Sequence, residues 1–368
     1  MCLVLKMAFA AATFSILSWA NPVRAADGPK PLFASDEVLS LTLTGPFDTI
    51  SRDIAAKPVP GVLKVGGAAP ETMPVTLSVR GITRRKKEVC AFPPLRVEFS
   101  QKPGPSSIFK GQKRLKLVTH CQRSADYQQY LLLEYTAYRL YRALTPESFN
   151  VRLAKIDYTY KDGQALITRL GFFIEDVNDV VKRNGQERLR GVRRISASQL
   201  DAAAAARYAV FEYMISNLDW AMTAGPAGAD CCHNARLMGA KGVTGASTGL
   251  IPVPYDFDYA GLVDAPYAVP PDGIHVANVR VRRYRGFCAH NEEAKAFLTQ
   301  ISTRRDSLMA ILNETPQLED RTRRKAAGYL GDFFEEAGSP SKVADLMKVC
   351  LRYSRRGAGA IRRATSKR

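Results

Sequence analysis

The chain has 368 residues, and 53 lysines and arginines against 35 aspartates and glutamates leave a formal net charge of +18. That length can bury a sizeable core in one or two domains, and the positive excess favours anionic partners such as phosphate esters, lipid headgroups or acidic polysaccharide. A nucleic-acid partner is not expected, because aromatics do not interleave with the basic clusters as in a nucleic-acid module; no H-E-x-x-H occurs, so zincin chemistry finds no support.

Read in chain order, Met1 to Lys6 make a short, weakly basic start, and Met7 to Ala20 an apolar run without an acidic residue. Asn21-Pro22 break that run, and Val23-Arg24-Ala25 puts small residues where a signal peptidase reads. The layout predicts a secretory signal peptide over residues 1–25, cut near Ala25; the run is short of the roughly 20 apolar residues of a membrane span. No later stretch predicts a transmembrane segment, so a periplasmic or secreted protein is expected. Cys90, Cys121, Cys231, Cys232, Cys288 and Cys350 follow, an even number that suggests disulfides in an oxidising compartment; sequence cannot choose the pairing. The vicinal Cys231 and Cys232 are expected to reach separate distant partners, Cys288 or Cys350 among them. No C-x-x-C spacing and only four histidines argue against zinc.

Residues 26 to about 75 are rich in Pro, Gly and Ala, with a strand-like Val38 to Leu43. Strands are expected at Val75–Val79, Leu95–Phe99 and Arg114–Val118, with a basic cluster Arg84-Arg85-Lys86-Lys87 between the first two. A helix is expected from Asp126 to Leu144, ahead of Pro146. Two strands joined by Lys161-Asp162-Gly163 follow, at 150–160 and 165–175. Ser198 is the expected cap of a helix that runs to Ile215 and delivers Asn217-Leu218-Asp219 at its end. After a Gly- and Ala-rich stretch, Leu250 to Tyr255 reads as a short strand ahead of Asp256. Helices are expected over 292–312 and 318–350. The basic tail, 351–368, has a disordered composition.

Asp256-Phe257-Asp258 carries the most chemistry. Two carboxylates in a partly buried turn repel each other unless a cation shares the site. Mg²⁺ suits such a pair, since it takes oxygen ligands and tolerates one or two protein carboxylates beside substrate phosphates. The other reading is a turn whose aspartates cap a helix or pair with nearby arginines. Asp219, Asn234 and Asp256, in that order, follow the sequence of roles in protein kinases: an aspartate that orients the attacking hydroxyl, an asparagine on metal, and a carboxylate on metal between phosphates. His233 is either a metal ligand or base, or a packed histidine. Arg280, Arg282, Arg283 and Arg285 are either a dock for an acidic substrate or a solvated basic face.

From roughly residue 38 to 312 the chain resembles the CotH family. The resemblance rests on Val79-Arg80-Gly81, Leu95 to Phe99, Leu115-Lys116-Leu117 and the helix Leu133 to Leu140. It continues through Gly171 to Asp176, Ser216-Asn217-Leu218-Asp219, His233-Asn234 and Pro254 to Asp258. It implies an α+β, two-lobed protein-kinase-like fold. A sheet-rich N-lobe with one long helix would span 26–180, and a helical C-lobe carrying the acidic site would span 181–350. It further implies phosphoryl transfer from a nucleotide, with ATP as co-substrate, to a protein or other hydroxyl acceptor. Asp219 would be catalytic; Asn234, Asp256 and Asp258 would hold Mg²⁺ or Mn²⁺; Arg96, Lys116, Glu134 and Glu175 would serve the nucleotide. Two features depart from the pattern: a Gly-rich insertion stretches the usual spacing of about five positions between aspartate and asparagine, and arginine stands at 96 where lysine is usual. The competing reading is an inactive kinase-like scaffold that binds an anionic cell-envelope partner.

Overall fold

The computed structural model describes residues 28–67, 70–353 and 361–363. The expected signal peptide lies outside them, as does most of the tail.

Five strands form an antiparallel meander: β1 (Leu39–Thr44), β2 (Val59–Val65), β3 (Glu71–Val79), β4 (Leu95–Phe99) and β5 (Arg114–Val118). Helix α1 (Tyr127–Leu144) follows, then the hairpin of β6 (Val151–Thr159) and β7 (Ala165–Ile174). β7 pairs with β5, and β6 runs parallel to β1 in a register that sets Leu39 opposite Ala154. These two pairings close the sheet into a barrel of order β1-β2-β3-β4-β5-β7-β6. Alternation sorts the side chains. Leu95, Val97 and Phe99 of β4 and Leu115 and Leu117 of β5 point inward, with Leu41, Leu77, Ile156 and Phe173, to form one apolar core. β2 escapes a sequence reading because Pro60 and Gly61 punctuate it. Gly61 is there for closeness: a Cβ would lie 2.7 Å from the Thr44 carbonyl oxygen.

A second core lies outside the barrel. Leu153, Leu170, Phe172 and Ile174 on the outer face of β6 and β7 pack against α1 and the C-terminal helices. Residues 131 to 141 of α1 are all buried, so it is wrapped on every side and is not a one-faced amphipathic helix. The second half supplies α2 (Val177–Arg183), β8 (Glu187–Arg188), α3 (Ala202–Ile215), β9 (Ala235–Gly239), β10 (Ile251–Pro254), α4 (Asn291–Ser302), α5 (Arg305–Asn313), α6 (Asp320–Ala337) and α7 (Pro340–Lys348). β10, β9 and β8 form a small sheet. Asp201, not Ser198, caps α3, accepting the Ala204 N–H at 2.8 Å. A final pair, β11 (Leu351–Tyr353) and β12 (Ile361–Arg363), occupies part of the tail.

The mixture of helix and strand agrees with the sequence, but the expected two-lobed kinase-like fold does not stand. The sheet-rich part is a closed seven-stranded mixed barrel, and one continuous core joins its outer wall to the helices. Closure depends on a parallel pairing between strands far apart in the chain, which no local periodicity encodes. Among the described residues no helix is long and apolar enough to cross a membrane.

The disulfides join Cys90 to Cys121, Cys288 to Cys350, and Cys231 to its neighbour Cys232. The expectation that the vicinal pair reaches distant partners is therefore corrected: Cys288 and Cys350 satisfy each other. Cys90–Cys121 closes a separation of 31 residues that encloses β4 and β5, tying the β3–β4 connection to the segment after β5. Replacing both cysteines by serine is expected to lower unfolding free energy by roughly 3–4 kcal/mol in the chain-entropy account, measured by denaturant titration under non-reducing conditions.

Candidate functional site

Three segments converge beside α1. The β9–β10 hairpin pairs Ala235 with Pro254, so Asn234, just before β9, and Asp256, just after β10, emerge at the same end. The Tyr255 N–H donates to the Asn234 carbonyl at 3.1 Å, and the Asp256 N–H donates to the Tyr138 hydroxyl of α1 at 2.8 Å. Asn234 and Asp256 both hold positive φ, 48° and 69°. Asn and Asp tolerate that region best among residues with a Cβ, and such positions concentrate at functional sites.

At the centre lies Arg84, 7 % exposed, from the β3–β4 connection. Its Nη1 and Nη2 grip Glu134 of α1 at 2.8 and 3.3 Å, Nη2 also reaches Asp256 at 3.2 Å, and Nε meets Asp258 at 3.0 Å. Tyr267 donates its hydroxyl to Asp258 at 3.2 Å. One guanidinium thus serves three carboxylates. Burial would favour its neutral form, but Asp258 and Glu134 hold it firmly charged. Burial, with Asp256 and Glu134 nearby, pushes Asp258 up to about 8 against the pull of Arg84. Glu134 is raised for the same reason. Oxygen atoms of Glu134, Asp256 and Asp258 lie within 4.8 Å of one another. These are hard donors, and with all three ionised the cluster keeps two negative charges beyond what Arg84 neutralises. That donor chemistry fits Mg²⁺ or Mn²⁺.

The loop after α3 builds a second group. Asn217 Oδ1 accepts the Asp219 N–H at 3.0 Å and its carbonyl takes the Trp220 indole N–H at 2.9 Å, which fixes the turn. The Asp219 carboxylate meets His233 Nε2 at 2.7 Å and accepts from Asn234 Nδ2 at 3.1 Å. That hydrogen bond raises the His233 pKa against the effect of burial. Asp219 and Asn234 are therefore brought together, with His233 as their third member, and Asp256 lies near enough to act on the imidazole electrostatically.

A third group is basic. Lys116 Nζ lies 5.2 Å from the centre of the Tyr255 ring and 5.9 Å from that of Phe149, while the Arg236 guanidinium stacks on Tyr255 at 4.3 Å. Burial, then Arg80 and Arg236, bring Lys116 down to about 7, and Asp176 and Asp256 pull the other way. Arg96 is exposed on β4, opposite Lys116 in register. The Glu175 carboxylate is taken up by Asn150, through its backbone and side-chain nitrogens at 2.9 Å, and by Arg183 at 3.1 Å.

Sequence reasoning missed Arg84 as the cation of the site; its only signal was membership of a basic run, whose neighbours Lys86 and Lys87 are exposed. Glu134, expected to orient a cation that touches the phosphates with Arg96 or Lys116 as that cation, pairs with Arg84. Of the arginines after the acidic turn, Arg282 and Arg285 look inward. Arg282 stacks on Tyr329 at 3.9 Å, and Arg285 on Trp220 at 4.6 Å while donating to the Leu218 and Trp220 carbonyls. Gly245-Ala246-Ser247-Thr248-Gly249 spells G-x-S-x-G, but it lies between two strands in an exposed loop, where Ser247 Oγ takes the Thr244 N–H. A hydrolase elbow needs a strand-to-helix turn.

No family model matches the chain, and no curated protein matches it. Among solved structures, the chain is similar to the Helicobacter pylori proinflammatory kinase CtkA. The TM-score is 0.36 at 11 % identity, over 69 % of this chain and 89 % of that one. A likeness that weak carries no argument about fold or activity.

Lys116 gives the site a titration signature. Its folded pKa lies below the free-lysine value, so the unfolded chain binds the extra proton and stability rises with pH between about 7 and about 10. Lys116→Met is expected to flatten that rise in melts taken across this window.

Proposed function

We propose that the chain is an exported, CotH-like phosphotransferase that moves a phosphoryl group from a nucleotide, ATP by preference, to a hydroxyl on a protein or another acceptor. The observation that carries the reading is the meeting of three closely spaced carboxylates with a basic, aromatic wall and a separately held aspartate. Glu134, Asp256 and Asp258 would hold Mg²⁺ or Mn²⁺, with Asn234 at the adjoining end of the hairpin. The ion, when bound, would offset phosphate charge. Lys116 and Arg236 face the same region around Tyr255. A phosphate beside Lys116 would recharge an amine that burial has made half-neutral at pH 7. Asp219, fixed by His233 and Asn234, would accept the hydrogen bond of the attacking hydroxyl and take its proton as the new P–O bond forms and the bond to the leaving nucleotide breaks. Export rests on the leader-like first 25 residues and agrees with the three disulfides.

The competing reading, a non-catalytic scaffold for an anionic envelope polymer, draws on Arg84. A guanidinium already inside the trio gives the cluster a purely structural use, and the surplus positive charge of the chain would bind the polymer. Thermal melts of the oxidised protein with ATP and Mg²⁺ or Mn²⁺ separate the two. A nucleotide at about 100 times its dissociation constant stabilises by about 2.7 kcal/mol, a shift of a few degrees at this size. The expected result is a metal-dependent shift lost in Asp256→Asn, and phosphoryl transfer abolished in Asp219→Ala with the nucleotide shift retained. A native sample that melts cooperatively and shifts with no nucleotide would leave the scaffold reading.

A further inference from the structure

A cavity of about 370 Å³ opens at one end of the barrel, where β1 leaves, β4 enters, β5 leaves and β7 enters. The volume is that of a small-molecule site. Its floor is aromatic: the Phe47 and Phe92 rings lie 5.3 Å apart, and Phe92 stacks on the His120 imidazole at 4.5 Å. Ile50, Leu166 and Ile167 extend the apolar wall. His120 is 1 % exposed, and neither ring nitrogen has a hydrogen-bond partner among the described residues. Two orphaned polar atoms in a buried side chain are costly unless something else meets them, at about 1–3 kcal/mol each. Burial, reinforced by Arg169 and Arg123, holds this imidazole down at about 3. It is therefore neutral, with one nitrogen donating and the other accepting.

The rim is cationic. Arg52 is locked in place by donating to the Arg85, Cys90 and Ala91 carbonyls, while Lys87 and Arg123 are exposed. The one carboxylate in the lining, Asp48, is engaged by the Tyr160 hydroxyl at 2.6 Å. The cavity is separate from the acidic trio: Arg84 and Glu134 face His120 from its other side, across a void of about 10 Å³.

We infer that the barrel mouth binds a small organic anion with a planar apolar body, its ring on Phe47 and Phe92, its charge at Lys87 and Arg123, and a polar edge toward His120. The inference does not depend on phosphoryl transfer. Fluorescence titration of the oxidised full chain with anilinonaphthalene sulfonate tests it, with benzoate, phenyl phosphate and benzyl alcohol as competitors. Saturable one-to-one binding is expected, displaced by benzoate or phenyl phosphate and not by benzyl alcohol; which anion displaces better separates a carboxylate ligand from a phosphate ester. Lys87→Gln with Arg123→Gln, both exposed, is expected to weaken the probe about tenfold or more without lowering the melting temperature. His120→Phe, which keeps the stack and removes both nitrogens, is expected to weaken binding while the fold melts no lower. Absence of saturable binding, equal displacement by benzyl alcohol, or native affinity in the charge variant would each overturn the inference.

Discussion

The structure turns on one buried guanidinium. Arg84 comes from a connection between barrel strands, Glu134 from α1 in the core outside the barrel, and Asp256 and Asp258 from the turn after β10. The separations along the chain are 50 residues from Arg84 to Glu134 and 172 residues from Arg84 to Asp256, and the Cys90–Cys121 disulfide ties the Arg84 connection to the segment leading into α1. Without that cation, three carboxylates would share a poorly solvated volume, an arrangement that costs several kcal/mol per uncompensated ion. The clamp therefore fixes how the barrel meets the helical part. It does so at the site proposed for phosphoryl transfer, so position and charge are supplied by the same group.

Charge is graded across the region. Beside the carboxylate trio stand Lys116, Arg236 and Arg188, and burial lowers both Lys116 and Arg188. Tyr255 lies between the two signs, under Arg236 on one face and joined through its backbone to Asn234. A ligand carrying both cation and polyanion would meet each half with its opposite. A simple polyanion would meet only the basic half and be repelled by the other. The separation of sign, more than the count of charges, would make the proposed site selective in kind.

Much of the secondary structure was legible in the sequence: β4 and β5 have clean alternation, and α1 and α3 have helical spacing. β2 was not, because Pro60 and Gly61 mask it, and β9 was lost in a Gly-rich stretch. Sequence order placed Asp219 with Asn234 and Asp256 with Asp258, because each pair is set by a short segment. The cation was illegible. Nothing local distinguishes Arg84 from Arg85 or the lysines after it, and only the three-dimensional path of the loop selects the one that turns inward. The barrel was missed for a related reason, since its closing pair joins segments with no sequence trait in common.

That closing seam also dictates an order of assembly. β1 meets β6 across a separation of 115 residues, where Thr44 and Thr159 share a hydrogen bond at 2.7 Å. Bringing such distant segments together costs about 4 kcal/mol of chain entropy beyond the constant term, before any contact repays it. Until β6 arrives, β1 is an open edge, with Leu39, Leu41 and Leu43 alternating with Ser40, Thr42 and Thr44, able to pair with any extended neighbour. Barrel formation is therefore late and slow compared with the formation of its helices, and the half-built sheet is the species that most needs protection from its own copies.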